Sequence, residues 1–357
     1  MKLSTRFIKI SIVTIFSALA LSCSIAMLTS RAASRPADSP QASQPSRVFE
    51  FTYRVSVPAI PGSHGPLRIW VPLPSTDQWQ TISQLKIESP IAYKVNREER
   101  FSNQMAYFDV AAAQAASPFE ITVHFMAVRS EHRVELVATH SGSGALSSRD
   151  PAVARFLQPD RLVPSDGVIG ELSKEQTAGA NTQLEKARKI YEYVVATMRY
   201  DKSGTGWGHG DAIWACTAKR GNCTDFHSLF DGMARAAGIP ARFEVGFPLP
   251  PDKPESEIPG YHCWTEFFID GIGWIPIDAS EAWKHPDKHD YFFGANDINR
   301  VQFSMGRDLR LNPPQQGEPL NYFVYPYAEL DGKLFDQLQT HFAFRDAQRN
   351  APSSATM

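Results

Sequence analysis

Cys223 opens a stretch, CTDFHSLFDGMARA, in which apolar residues recur at helical spacing: Cys223, Phe226, Phe230, Met233, Ala234 and Ala237. Asn222 before it is a good N-cap, with Asp225 three residues on, and Gly238 followed by Pro240 marks the stop. A cysteine in the first helical turn meets unpaired backbone N–H groups and a partial positive charge, both of which stabilise a thiolate. Its pKa should fall and its nucleophilicity rise. The same N–H groups can bind an oxyanion formed on an attacked carbonyl.

His262 and Asp278 supply what such a nucleophile needs. Residues 262–269, HCWTEFFI, read as a strand, Asp270-Gly271 as a turn, and Trp274 to Asp278 as the returning strand. A tight turn there sets His262 opposite Ala279, beside Asp278, and a longer loop slips this by about a residue. A nucleophile, an imidazole and an orienting carboxylate are the parts of thiol acyl transfer. His227 is a rival base, because it lies four residues after Cys223 on the same side of the helix. His262 is the predicted base on two grounds. The reacting carbonyl must sit beyond the helix N-terminus, and only His262 has a carboxylate placed beside it by hairpin register.

The segments GNCTDFHSLF, ARAAGIPARFEVGF and GYHCWTEFFIDGIGWIPIDASEA resemble the catalytic core of the transglutaminase-like superfamily, over residues 181–295. That superfamily carries a Cys at a helix start, a His on a strand and an Asp on the next strand, and Cys223, His262 and Asp278 match in that order. The resemblance implies an α+β, papain-like fold in which the Cys helix packs on an antiparallel sheet. It implies thiol acyl transfer on amide or peptide bonds, with an amine acceptor giving a cross-link and water giving hydrolysis. The superfamily also holds silent members, so a binding or scaffold module at the cell envelope is the alternative. Its members often take a second oxyanion donor from an upstream aromatic or amide group; Tyr200, Trp207 and Trp214 are the candidates.

The elements around this core follow from patterning. Residues 47–136 alternate as strands, as in Phe49, Phe51, Tyr53, Val55 and Val57, and hold no concentration of catalytic residue types. They predict a β-sandwich-like domain, similar to the one often joined to bacterial members. Residues 137–180 read as a connector. Leu184, Ala187, Ile190, Tyr191, Val194 and Met198 predict a helix from near Asn181 that ends by Tyr200. Residues 296–350 include Tyr322 to Tyr325 and Phe342 to Phe344, a C-terminal β extension expected to add strands to the core, and 351–357 read as a tail.

The 357 residues are 43% hydrophobic and 21% charged, which fits a folded soluble protein and excludes collagen-like, mucin-like and wholly disordered classes. Net charge is −2, yet residues 1–35 carry Lys2, Arg6, Lys9, Arg31 and Arg35 and no acid, so the remainder is at −7. Such a body argues against nucleic acid as partner; the resemblance implies a protein or peptide substrate. Residues 1–30 read as a signal peptide or an N-terminal membrane anchor, with a charge-free run from Ile10 to Leu28. Ala20-Leu21-Ser22-Cys23 is similar to a lipoprotein cleavage box, which makes lipidation at Cys23 a third option. All three place the body outside the cytoplasm, in the periplasm or cell envelope. Residues 31–46, RAASRPADSPQASQPS, read as a flexible linker.

No cofactor or metal is expected. Gly204, Gly206, Gly208 and Gly210, with Trp207 and His209, read as a mobile loop without the lysine of a phosphate-binding loop. Cys216, Cys223, His262 and Cys263 lack the close pair of a zinc site. Strand alternation sends Cys263 to the face opposite His262. In an oxidising compartment this predicts a Cys216–Cys263 disulfide that leaves Cys223 free.

Overall fold

The computed structural model describes residues 44–62, 65–136 and 150–347. The expected signal or anchor at 1–30, most of the linker and the tail at 351–357 lie outside the described residues. Among those described, no helix is long and apolar enough to cross a membrane.

Six strands come first: β1 (Ser46–Val57), β2 (Leu67–Leu73), β3 (Gln80–Glu88), β4 (Tyr93–Arg97), β5 (Gln104–Val110) and β6 (Phe119–Ser130), with a one-turn helix α1 (Ala112–Ala115) before β6. The two-residue β7 (His132–Arg133) closes this part. Alternation in β1 is strict: Phe49, Phe51, Tyr53, Val55 and Val57 are all at most 1% exposed, while Glu50 and Arg54 face solvent. A period of two with one apolar face is what a half-buried strand requires.

The helical part follows, with the short α2 (Pro151–Ala154), α3 (Gly167–Gln176), α4 (Gln183–Thr197), the two-residue β8 (Arg199–Tyr200), α5 (Ala212–Ala218), the two-residue β9 (Arg220–Gly221) and α6 (Cys223–Ala236). The segment read as a connector thus contains α3, which packs on α6. Ser173 Oγ donates to Met233 O at 2.6 Å, and a Cβ on Gly232 would come within 2.9 Å of Pro164 O. Gly167 and Gly170 dilute the helical signal of α3, and packing on α6 overrides them. Helix α4 begins in a capping box, where Glu185 N donates to Thr182 Oγ1 at 3.1 Å, and buries Ala187, Ile190, Tyr191 and Val194.

The chain then runs through β10 (Ala241–Pro248), β11 (Glu255–Glu257), β12 (His262–Ile269), β13 (Gly273–Ile277), α7 (Ala279–Lys284), β14 (Ala295–Asn296), β15 (Arg300–Met305), β16 (Tyr327–Leu330), β17 (Lys333–Leu334) and β18 (Gln339–Asp346). The core sheet has the order β13-β12-β10-β15 and is antiparallel. Pro276 sits in β13, at the sheet edge, where a missing donor is tolerated. Helix α6 lies on one face of this sheet: Thr265 Oγ1 donates to Asp231 of the helix, and Phe267 packs on Phe230 with centroids 6.0 Å apart.

The C-terminal strands divide their allegiance, which sequence patterning could not foresee. Only β15 joins the core sheet. The other three complete the sandwich, whose sheets run β11-β18-β1-β6-β3 and β17-β16-β2-β5-β4. Strand β18 lies beside β1, with Phe51 opposite Phe344 and Tyr53 opposite Phe342. The N-terminal β domain therefore does not close within residues 47–136. Its core continues under the core sheet, where Phe247 of β10 faces Phe342 at 4.3 Å and Phe51 at 5.5 Å between ring centroids.

Candidate active site

The site forms where the N-terminus of α6 meets the start of β12. Asn222 caps the helix, accepting from Thr224 N at 2.9 Å, and Asp225 Oδ2 accepts from Asn222 N at 2.9 Å. Gly238, at φ +76°, ends the turn that follows. Cys223 is thus the first helical residue, at the positive end of the dipole.

Asp225 also anchors the glycine loop. Its carboxylate accepts from Gly208 N at 2.7 Å and Gly210 N at 3.0 Å. Arg307 Nη1 donates to Gly210 O at 2.7 Å, and a Cβ on Gly210 would lie 1.9 Å from that guanidinium. The segment read as a mobile loop is therefore tied to the helix that carries Cys223. Its glycines serve a positive-φ path and close approach, not mobility.

The hairpin pairs Thr265 with Ile277 and Phe267 with Ile275, one residue from the predicted register. His262 and Asp278 come out as neighbours. Asp278 is the N-cap of α7, and its Oδ1 accepts from Glu281 N and Ser280 Oγ, both at 3.0 Å. Its Oδ2 accepts from His262 Nε2 at 2.7 Å and Arg300 Nη1 at 3.1 Å. With Nε2 so engaged, Nδ1 of His262 is the nitrogen left for proton exchange with the thiol. Cys223 lies close enough to His262 and Cys263 for each to shift its ionisation.

Burial works against each charge here, and the neighbours reverse it. It would push the Cys223 thiol up, but its interactions with Cys263 and His262, and the charge of the His262 imidazolium, hold it well below the usual thiol value. Burial would likewise discharge His262, but the charge and hydrogen bond of Asp278, then contact with Cys223, raise it to about 10. Asp278 is held far below the usual carboxylate range against its own burial, first by His262 and then by Arg300. The result is a thiolate–imidazolium pair braced by a carboxylate.

His227 lies on the other side of the same carboxylate. Its Nε2 is 3.5 Å from Asp278 Oδ1 and makes no hydrogen bond among the described residues, while its Nδ1 meets Cys263 Sγ at 3.5 Å. Burial drives its pKa down to about 4, so it is neutral where His262 is charged.

Two further residues escaped sequence reasoning. Arg300 comes from β15, whose backbone approaches β10 so closely that a Cβ on Gly246 would lie 1.8 Å from Val301 O. It bridges Asp278 and Asp297 and lies 4.9 Å over the ring of Trp264. Tyr261 bonds Thr224 Oγ1 at 2.7 Å and accepts from Asn222 Nδ2 at 3.0 Å, so its ring stands at the helix N-terminus. Its position directly before His262 was the available signal. Of the aromatic candidates for an oxyanion donor, Trp207 Nε1 is taken up by Gly204 O at 3.1 Å. Tyr200 lines a cavity of about 480 Å³ with Tyr261, His262, Lys284 and Arg300; neither Trp207 nor Trp214 lines it. Larger hollows of about 710 and 690 Å³ lie elsewhere and include none of Cys223, His262 and Asp278.

The three described cysteines are free, so the Cys216–Cys263 disulfide is absent. The reason is α6. Cys263 does point to the face opposite the His262 side chain, but that face is covered by the helix whose first residue is Cys223. Its sulfur accordingly sits 3.7 Å from Thr224 Oγ1 and not against α5. Among the described residues no group of acidic, His and Cys side chains is arranged to hold a metal ion.

Residues 170–279 match the core-domain model of the transglutaminase-like superfamily. An uncharacterised protein of Haemophilus influenzae is 28% identical over 325 residues, covering 80% of this chain and 86% of its own length. Among solved structures, a candidate cysteine protease from Cytophaga hutchinsonii is similar at 17% identity and a TM-score of 0.58, covering 86% of this chain and 93% of its own. The periplasmic domain of TgpA from Pseudomonas aeruginosa is 15% identical at a TM-score of 0.34, over 67% and 90% of the two chains. The chain carries a transglutaminase-like, papain-like α+β core joined to a β-sandwich.

Proposed function

We propose that this transglutaminase-like protein is a thiol acyl-transfer enzyme acting on amide or peptide bonds of a protein or peptide substrate. The observation that carries the reading is the arrangement of His262: Nε2 is bound to Asp278 at 2.7 Å, and Cys223, first residue of the helix, is near enough for the ring to lower its pKa. In this reading the Cys223 thiolate attacks the carbonyl. The N–H of Cys223 is one donor to the oxyanion, and Tyr200, which alone of Tyr200, Trp207 and Trp214 lines the adjoining cavity, is the candidate for another. His262 gives its proton to the leaving amine and then takes one from the acceptor. Asp278 fixes the tautomer and steadies the imidazolium, with Arg300 holding the carboxylate. An amine acceptor yields a cross-link and water yields an acid. The basic N-terminus and charge-free run from Ile10 to Leu28 support an exported protein of the cell envelope.

The test is hydroxamate or ammonia release from glutamine peptides, run beside a peptidase screen, with the parent protein and Cys223→Ala. Turnover lost in the variant supports the reading and tells transfer from hydrolysis. No Cys223-dependent turnover in either assay favours a silent binding module.

A further inference from the structure

Acyl transfer uses one thiol, and the cluster holds two. Cys263 is wholly buried, as are His227 and Asp278. Its sulfur meets His227 Nδ1 at 3.5 Å, and His227 Nε2 faces Asp278 Oδ1 at 3.5 Å. Asp278 thus stands between two thiol–imidazole pairs: Cys223–His262 on Oδ2 and Cys263–His227 on Oδ1. No substrate can reach a thiol so enclosed. The reactive group within its reach is the other sulfur: Cys263 Sγ lies 3.7 Å from Oγ1 of Thr224, the residue next to Cys223, and the two thiols shift each other's ionisation.

We propose that Cys263 is a resolving thiol, which closes a Cys223–Cys263 disulfide once a peroxide has oxidised Cys223 and so switches the enzyme off reversibly. The chemistry balances. The Cys223 thiolate attacks one oxygen of hydrogen peroxide; sulfur is oxidised by two electrons, the O–O bond breaks, and Cys223 becomes a sulfenic acid as hydroxide leaves. Cys263 then passes its S–H proton to His227 Nδ1 and attacks the Cys223 sulfur. The S–S bond forms, the S–O bond breaks, and the hydroxyl departs as water with the proton His227 accepted. An external dithiol reverses the step by exchange.

The two thiols are differentiated for these tasks. Cys223 is the one held as thiolate, and only the thiolate reacts with the oxidant. Burial and the neighbouring thiolate hold Cys263 in its protonated form, so it waits for a base. His227, neutral because it is buried, can accept that proton. The inference rests on Cys223 being the thiolate of the proposed function and is independent of which bond the enzyme acts on.

The test treats the full chain with a several-fold molar excess of hydrogen peroxide, blocks remaining thiols with N-ethylmaleimide in denaturant, and maps the digest by mass spectrometry. The expected product is a Cys223–Cys263 linked peptide with Cys216 blocked, and dithiothreitol removes the link. In Cys263→Ala, or Cys263→Ser if the first fails to fold, the same dose leaves Cys223 as sulfinic acid that dithiothreitol does not restore. In His227→Gln the link forms about tenfold more slowly or worse, with Cys223 oxidised as fast as before. Parent protein that carries Cys223 sulfinic acid with Cys263 still blocked, or a link to Cys216, overturns the proposal. The readout is mass, so a catalytically silent protein would still decide it.

Discussion

Asp278 accepts from His262 at 2.7 Å on Oδ2 and faces His227 at 3.5 Å across Oδ1, so one carboxylate ranks two buried imidazoles. The closer ring is charged and the farther one neutral, and the difference follows from distance and hydrogen bonding, since both are buried. This ranking is the basis for choosing between them.

Replacing His262 with Ala should lower kcat by roughly a hundredfold or more, the scale of lost acid–base catalysis. Replacing His227 with Ala should act on stability, by about 2 kcal/mol or more, with turnover in the folded fraction within a few fold of the parent. Steady-state kinetics beside thermal melts separates the two. Near-normal turnover in folded His262→Ala would reverse the assignment.

The ionisation of Cys223 predicts a pH profile for alkylation. Because its pKa is held well below the usual value, iodoacetamide labelling of Cys223 should keep its rate to a lower pH than that of a free thiol, which slows below about pH 8.5. The shape of the curve, more than its height, is diagnostic, since Cys223 is only 2% exposed and access lowers the rate at every pH. An inflection near pH 8.5 would remove the thiolate from the argument.

Asp225 gathers the amides of Gly208, Gly210 and Asn222 on one carboxylate. Asp225→Ala orphans the buried N–H groups of Gly210 and Asn222, each costing about 1–3 kcal/mol when left without a partner, and the half-buried one of Gly208. Amide exchange at Gly208 and Gly210 should accelerate by at least about tenfold, measured by hydrogen exchange. Unchanged protection would mean that Arg307, Asn321 and Tyr322, which bond the carbonyls of Gly210, His209 and Gly208, hold the loop without it.

Glu244 gives a prediction with a definite sign. Burial first, and then the charge of Glu266, raise it to about 8, while Trp264 Nε1 donates to it at 2.7 Å. A carboxyl whose pKa is higher in the folded state favours folding below its unfolded value near 4.5. That contribution is lost as pH rises through about 8. Glu244→Gln keeps an acceptor for Trp264 and carries no charge. Its Tm should match the parent near pH 4 and exceed it by roughly 2–4 °C or more at pH 9. A constant difference across that range would contradict the raised pKa.

What the sequence disclosed is what short-range rules control. The cap at Asn222, the stop at Gly238 and the hairpin around Asp270-Gly271 each depend on a few adjacent residues, and together they bring Cys223, His262 and Asp278 to one place. Hidden from it were the contacts that depend on chain segments far apart. Arg300 reaches Asp278 only because β15 closes against Gly246. Helix α3 exists because α6 offers it a surface. Cys263 is enclosed by a helix whose position no strand pattern contains.

The pairing of β1 with β18 bears on how the molecule comes into being. Arg47 binds Asp346 at 2.8 Å across 299 residues of sequence, the longest reach among the side-chain bonds described above. A nascent chain can wind α4, α5 and α6 and lay down β10 to β13 early, since their partners are close in sequence. The aromatic layer beneath them waits, because Phe342, the ring nearest Phe247, follows it by 95 residues. Closing so large a loop is entropically slow, and β1 presents an unpaired edge until it happens. The scaffold beneath Cys223 therefore becomes rigid only once β18 has been made and has paired with β1.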